Sequence, residues 1–362
     1  MKILYSWGVG NIEIPAIKQD LKEWKNAGFD ITSLNHYHEL GINRVLQFKD
    51  LDRLYVNKDK ALFNFYDKVR GLLQTHDVLI VNYTNVYHPE FIKSLKNIYT
   101  VLISGDDPDS SNRCSKPYVH AFDHCFSWGV YFDKDKLITE KFLEWGAKRV
   151  DRWLHGVNQN NYDISFKADD IYTKERDIDL VYVGYSGVKV GRLAKIKQAF
   201  PQMQVYGRGW RWMDILSGVV FNKDIDALWR SLISGLWITK KLPIQDLIPL
   251  YHRAKIGINM PLTFGVGNQR LFHLPANGVM QVCDNAGGLN QVFELDKEVI
   301  GYDTTNEAIE LIRYYLEHDK ERKEIAVAGF NRTMKDYQRV ITFTRAIEKI
   351  KQGMLSEGIR IM

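Results

Sequence analysis

The chain has 362 residues, 45% hydrophobic and 26% charged, which is enough apolar material for two domains with full cores and the ordinary balance of a globular protein. No run of about 18 apolar residues appears, so no segment reads as a bilayer-spanning helix, and the short apolar start MKILYSWGVGN reads as a strand and glycine turn, not a secretion signal. Cys114, Cys125 and Cys283 show no metal-ligand spacing, which points to a reducing cytoplasm, and the net charge of +5 allows an anionic partner (nucleotide, acidic lipid or DNA) without choosing one.

In chain order, Lys2 to Trp7 reads as a strand, followed by the sharp turn Gly8-Val9-Gly10-Asn11 and apolar residues at helical spacing over Ile14 to Ala27. Gly28 stops that helix, and Asp30 to Leu34 is the next strand. Ala61 to Leu73 reads as a helix, Asp77 to Asn82 as a buried strand, Pro89 to Asn97 as a helix and Tyr99 to Ser104 as a strand ended by Gly105-Asp106-Asp107-Pro108. His124 to Trp128, Lys134 to Trp145 and Arg149 to Leu154 continue as strand, helix and strand. Tyr162 to Asp177 is polar and lacks periodicity, so it is expected to link two domains. A second alternating series then begins: strand Asp179 to Gly184, helix Val188 to Phe200 and strand Met203 to Tyr206. It continues with helical Ile244 to Arg253, then charged helices Glu307 to Glu317 and Lys320 to Lys335. Val340 to Leu355 is a last amphipathic helix. Alternating strands and helices predict α/β architecture with doubly wound parallel sheets.

The second series is centred on Tyr251 to Asp303. The strand Lys255 to Met260 leads to a loop with glycines at 265 and 267. Asn268 then opens a helix carrying Gln269, Arg270, Phe272 and His273, closed by Gly278, and Val279 to Cys283 is the next strand. Such a unit places backbone N–H groups at the carboxyl edge of a parallel sheet, a ready anion site, and Arg270 stands where a guanidinium could clamp a diphosphate. Two more turns reach the same kind of edge. Gly184-Tyr185-Ser186-Gly187 is backed by Lys189 and Arg192, and Gly207-Arg208-Gly209-Trp210 offers Arg208. Each also has the plain reading of a strand-to-helix turn with solvated basic residues.

The series R-x-F-x-x-P-A-x-G over Arg270 to Gly278, a strand ending in Asp284, VFELDKEVIGYD and IRYYLEHDKERKEIAVAG resembles the CgeB-like branch of the GT-B glycosyltransferases. The resemblance is clear from about Asp177 to Asp336 and looser from Met1 to Asn161. It implies two Rossmann-like domains facing a cleft, an acceptor-side domain over 1–165, a nucleotide-sugar domain over 166–337, and a C-terminal helix, 338–362, crossing back. It also implies a nucleotide-diphosphate sugar as donor substrate, no cofactor and no metal. Donor contacts are then expected from Gly184, Tyr185, Lys189, Arg192, Gly207, Arg208, Leu242, Asn268, Gln269, Arg270 and His273. The chain departs from the pattern twice. His273 stands where the family usually has the Glu expected to hold the ribose, and Gly265 stands where relatives carry an acid.

Asp106 and Asp107 end a strand of the first half and are candidates for a general base on an acceptor hydroxyl, against the plain reading of an Asp-Pro turn cap. Residues 210–241 are an insertion relative to the family pattern, with Trp210, Trp212, Trp229 and Trp237 and the closing pair Lys240-Lys241. That composition suits a membrane interface, a subunit contact or a local core. The leading expectation is a cytoplasmic glycosyltransferase acting on the hydroxyl of a glycan, lipid or protein. Sugar transfer to a modified base of DNA, sugar-nucleotide epimerisation, and nucleotide-sugar binding without catalysis are the other readings.

Overall fold

The computed structural model describes residues 1–8, 14–42, 46–82, 86–105, 107–133, 135–185, 189–207, 225–233, 235–236, 239–261, 268–285 and 288–359. They form two compact units, Met1–Asn158 with Arg339–Met362, and Gln159–Gln338.

The first unit runs β1 (Lys2–Trp7), α1 (Ile14–Asn26), β2 (Asp30–Asn35), α2 (His36–Leu40), α3 (Phe48–Val56), α4 (Lys60–Leu73), β3 (Val78–Asn82), α5 (Pro89–Ser94), β4 (Tyr99–Ser104), α6 (Ser111–Cys114), β5 (His124–Ser127), α7 (Ile138–Glu144) and β6 (Val150–Arg152). Its strands form a six-stranded parallel sheet in the order β2-β1-β3-β4-β5-β6. Side chains alternate across it, as a strand's two-residue period requires. Ile3, Tyr5, Val78 and Ile80 pack on one face, and Leu4, Leu79 and Val81 on the other. Because both faces are covered, the strands read as continuous apolar runs in the sequence.

The second unit runs α8 (Asp170–Thr173), β7 (Ile178–Val183), α9 (Val190–Ala199), β8 (Gln204–Tyr206), α10 (Ile225–Ile233), α11 (Leu247–Arg253), β9 (Ala254–Asn259), α12 (Arg270–Ala276), β10 (Met280–Asp284), β11 (Ile300–Tyr302), α13 (Thr305–Glu317) and α14 (Asp319–Asp336). Its parallel sheet has the order β11-β10-β9-β7-β8. The order reverses between β7 and β9, and such a switch point opens a crevice at the carboxyl ends of the strands.

The segment expected to be a polar linker differs from that reading. Phe166 and Ile171 are buried in the core of the second unit. Arg176, also buried, donates to the carbonyls of Tyr251 (2.9 Å), Ala254 (2.6 Å) and Asn277 (2.9 Å). A guanidinium satisfying three main-chain acceptors ties this stretch to α11 and α12, and its charge made the segment look solvated.

The last helix, α15 (Arg339–Ser356), belongs to the first unit. Phe343 stacks on Trp24 of α1 with ring centroids 3.9 Å apart. Arg339 pairs with buried Asp20, which also accepts from Asn158 Nδ2 at 3.2 Å. Lys349 pairs with Asp151, and Arg149 donates to Ser356 Oγ at 2.8 Å. Among the described residues no helix is long and apolar enough to cross a membrane.

Candidate functional site

At the switch point, β7 runs into Gly184 and β8 into Gly207, and the two glycines meet. Gly207 has φ +144°, and a Cβ there would lie 1.9 Å from the Gly184 carbonyl oxygen. Gly184 N donates to Tyr206 O at 2.9 Å, and Gly207 N to Lys240 O at 3.0 Å. Leu242 packs half-buried on the same side, beside Val183 and Tyr206. The close approach requires glycine at 207, and at both positions main chain is exposed where side chains would otherwise stand.

Arg270 reaches over this floor from the start of α12. Its Nε donates to Val183 O at 2.7 Å and its Nη1 to Asn259 Oδ1 at 3.1 Å. Its guanidinium carbon sits 4.6 Å from the centre of the Tyr182 ring. A Cβ on Gly184 would lie 2.0 Å from Arg270 Nη2. The cation is therefore fixed directly over the glycine backbone. Asn259 serves as a hub, since Asn268 Nδ2 also donates to its Oδ1, at 3.0 Å. Asn268 Oδ1 in turn accepts from Leu271 N at 3.0 Å, so one N–H of this helix start is already satisfied.

Two more cations come from the adjoining helix. Arg192 pairs with Asp284 at the end of β10. Lys189, ahead of the first turn of α9, is 3% exposed. Burial, reinforced by the Arg270 and Arg192 charges against the pull of Asp284, brings its ammonium down to about 7. Cys283, beside Asp284, is pushed up by burial and stays a thiol.

Gly184, Gly207, Lys189, Arg192, Asn268, Arg270 and Leu242 thus gather around one sheet edge. Tyr185 follows Gly184 with an exposed side chain, and its carbonyl accepts from Tyr182 Oη at 3.0 Å. Gln269 is exposed, whereas His273 is buried on α12. Arg208, Asp106, the glycines at 265 and 267, and Trp210, Trp212 and Trp237 lie outside the described residues. Sequence reasoning gave no role to Asn259 or Tyr182. The signal for Asn259 was an amide closing an otherwise apolar strand, and buried amides need partners.

Asp107 belongs to the first unit and is buried. It accepts from the hydroxyls of Ser104, Ser111 (2.7 Å) and Ser115 (2.5 Å). Burial pushes its carboxyl up, against the lowering effect of the three hydroxyls. What this geometry does is knit the turn after β4 to α6. In α10, Trp229 and Ile233 are 63% and 74% exposed one helical turn apart.

Residues 192–344 match a family model described as glycosyl transferase-like. No curated protein matches the sequence. Among solved structures, the chain resembles a glycosyltransferase from Rickettsia africae ESF-5 (TM-score 0.63, 12% identity, 98% of this chain and 99% of that one). It also resembles HepE from Anabaena in complex with UDP and glucose (TM-score 0.63, 12% identity, 97% and 100%). A sucrose-phosphate synthase from Thermosynechococcus elongatus is similar at TM-score 0.61 (11% identity, 98% and 100%). The chain has the GT-B fold, two Rossmann-like units, and its second unit carries most of the glycosyl transferase-like segment.

Proposed function

We propose that the protein is a glycosyltransferase that moves a sugar from a nucleotide-diphosphate sugar to an acceptor hydroxyl. The observation that carries this reading is the cluster of Arg270, fixed over the backbone of Gly184, with Lys189 and Arg192 beside it. Pre-positioned cations of this kind would stabilise a leaving diphosphate as its charge develops, and their charge would stand in for a divalent metal. HepE, which shares the fold, was crystallised with UDP-glucose. The CgeB-like subtype and a cytoplasmic location are part of the same proposal. So is peripheral membrane attachment through the exposed face of α10 with Lys240 and Lys241. Flotation with anionic liposomes checks the last, and equal recovery of the wild type and a Trp229→Ser variant would sink it.

The test of the activity is a thermal-shift panel with UDP-, GDP-, ADP- and TDP-glucose, followed by release of the nucleoside diphosphate from whichever binds. One of them is expected to raise Tm, with slow acceptor-free hydrolysis. A flat panel would rule the reading out. A second reading, nucleotide-sugar binding without catalysis, is favoured by buried His273 standing where the resemblance expects Glu. Binding without any release of diphosphate would select it.

A further inference from the structure

We propose that this cradle takes up one proton as it binds a nucleotide diphosphate, and that Lys189 is the group that receives it. The inference rests on the reading of the site as a diphosphate site and concerns how pH controls it.

The geometry is one of surplus positive charge in a closed space. Arg192 is already committed to Asp284, and Arg270 is held by Val183 O, Asn259 and the Tyr182 ring. Lys189 forms no salt bridge among the described residues, although it is nearly inaccessible to water. A charged ammonium there loses hydration and faces two fixed guanidiniums. Around pH 7 and above, much of the free protein therefore holds the neutral amine. A diphosphate bridge brings two negative charges and reverses that balance. The amine then gains a proton from the medium and becomes the ammonium that pairs with the ligand.

The other groups that face Lys189 cannot supply this response. Arg192, on its own helix, and Arg270, from α12, stay charged throughout the accessible range. Cys283 and Tyr302, which adjoin Asp284, are pushed up by burial and stay neutral. Asp284 is the carboxylate that acts on Lys189, and Arg192 is already paired with it.

The sign follows from linkage. A ligand that binds the protonated form takes up protons above the pKa of the free group and none well below it. Calorimetry of the full-length protein with UDP-glucose tests this, because neither its diphosphate diester nor its uracil N–H titrates appreciably between pH 6 and 8. Titrations in HEPES and in Tris at pH 8 should give apparent enthalpies that differ by the buffers' ionisation enthalpies times about one proton. In MES and Bis-Tris at pH 6 the difference should nearly vanish. The affinity should weaken about fivefold from pH 7 to pH 8. Lys189→Met should bind more weakly, with no uptake and a flat pH profile; Lys189→Gln is the second variant if the first fails to fold. Binding with buffer-independent enthalpy at pH 8 overturns the proton coupling and leaves the donor site standing. Uptake that persists in a folded Lys189 variant overturns the assignment to Lys189. Failure of UDP-, GDP-, ADP- and TDP-glucose alike to bind overturns the site reading and this inference with it.

Discussion

Arg270 shows how one residue can be both a binding group and a structural one. An exposed arginine in a cleft would contribute little to folding. This one spends two of its five donors on Val183 and Asn259 and lies over an aromatic face. Arg270→Ala should therefore lower kcat/KM by a factor equivalent to about 2.7–4 kcal/mol, the usual loss when a donor aimed at developing charge is removed. It should also lower Tm, because Asn259 loses a partner at a buried sheet edge. Steady-state kinetics and a thermal melt on the same preparation check both. An active variant with unchanged turnover would remove Arg270 from the chemistry. Lys189 is the counterpart: the sequence placed it behind the Gly184 turn but gave no sign of its burial. Lysine is among the residues most often solvated, and only the fold shows it enclosed beside two arginines.

At the scale of elements, the long apolar runs were legible, and so were the short strands β6 and β8, whereas several other short elements were not. β1, β3, β4, β7, β9 and β10 announced themselves because parallel strands are buried on both faces. α2 and α3 were missed. α2 spans only five residues, and α3, FKDLDRLYV, has an apolar stripe of Phe48, Leu51 and Tyr55 that went unread among its charges. β11, three residues long, was also missed. The glycine turns and basic residues of the site could be read, whereas the Arg176 clamp depends on contacts across roughly 75 to 100 positions of sequence, and the Asn259 hub on side-chain geometry across the loop from β9 to α12. The docking of α15 gives an element-scale prediction. Burial pushes Asp20 up to about 6 even beside the Arg339 guanidinium, so the pair is ionised at neutral pH. Arg339→Met would strand that carboxylate and should cost on the order of 3–5 kcal/mol in urea unfolding. The folded pKa lies above the unfolded one. The unfolded state is common to both proteins, so the penalty should be full above the variant's folded pKa, which lies above that of the wild type once Arg339 is gone, and shrink as pH falls to about 6. A loss independent of pH would mean that Asp20 is not the group left stranded.

For the whole molecule, the extent of the second unit sets what can be separated. A polypeptide of residues 159–338 should fold alone and bind whichever sugar nucleotide the full chain binds. One starting at Asp177 discards Phe166, Ile171 and Arg176 and leaves the carbonyls of Tyr251, Ala254 and Asn277 without their donor. It should be recovered as aggregate. Circular dichroism and calorimetry on the two fragments decide the matter, and equal behaviour would mean that 159–176 is dispensable. The return of the chain to the first unit has a consequence during synthesis. About 180 residues separate Asn158 from Arg339. At translation rates of about 5–20 residues per second, roughly 10 to 35 seconds pass after Asn158 is made before α15 begins, and only then can Phe343 cover Trp24. In that interval the second unit can complete itself while the first cannot. The amino-terminal half of the nascent chain is therefore the part most in need of a chaperone, and any premature stop before α15 yields a product whose later-made unit is the better folded one.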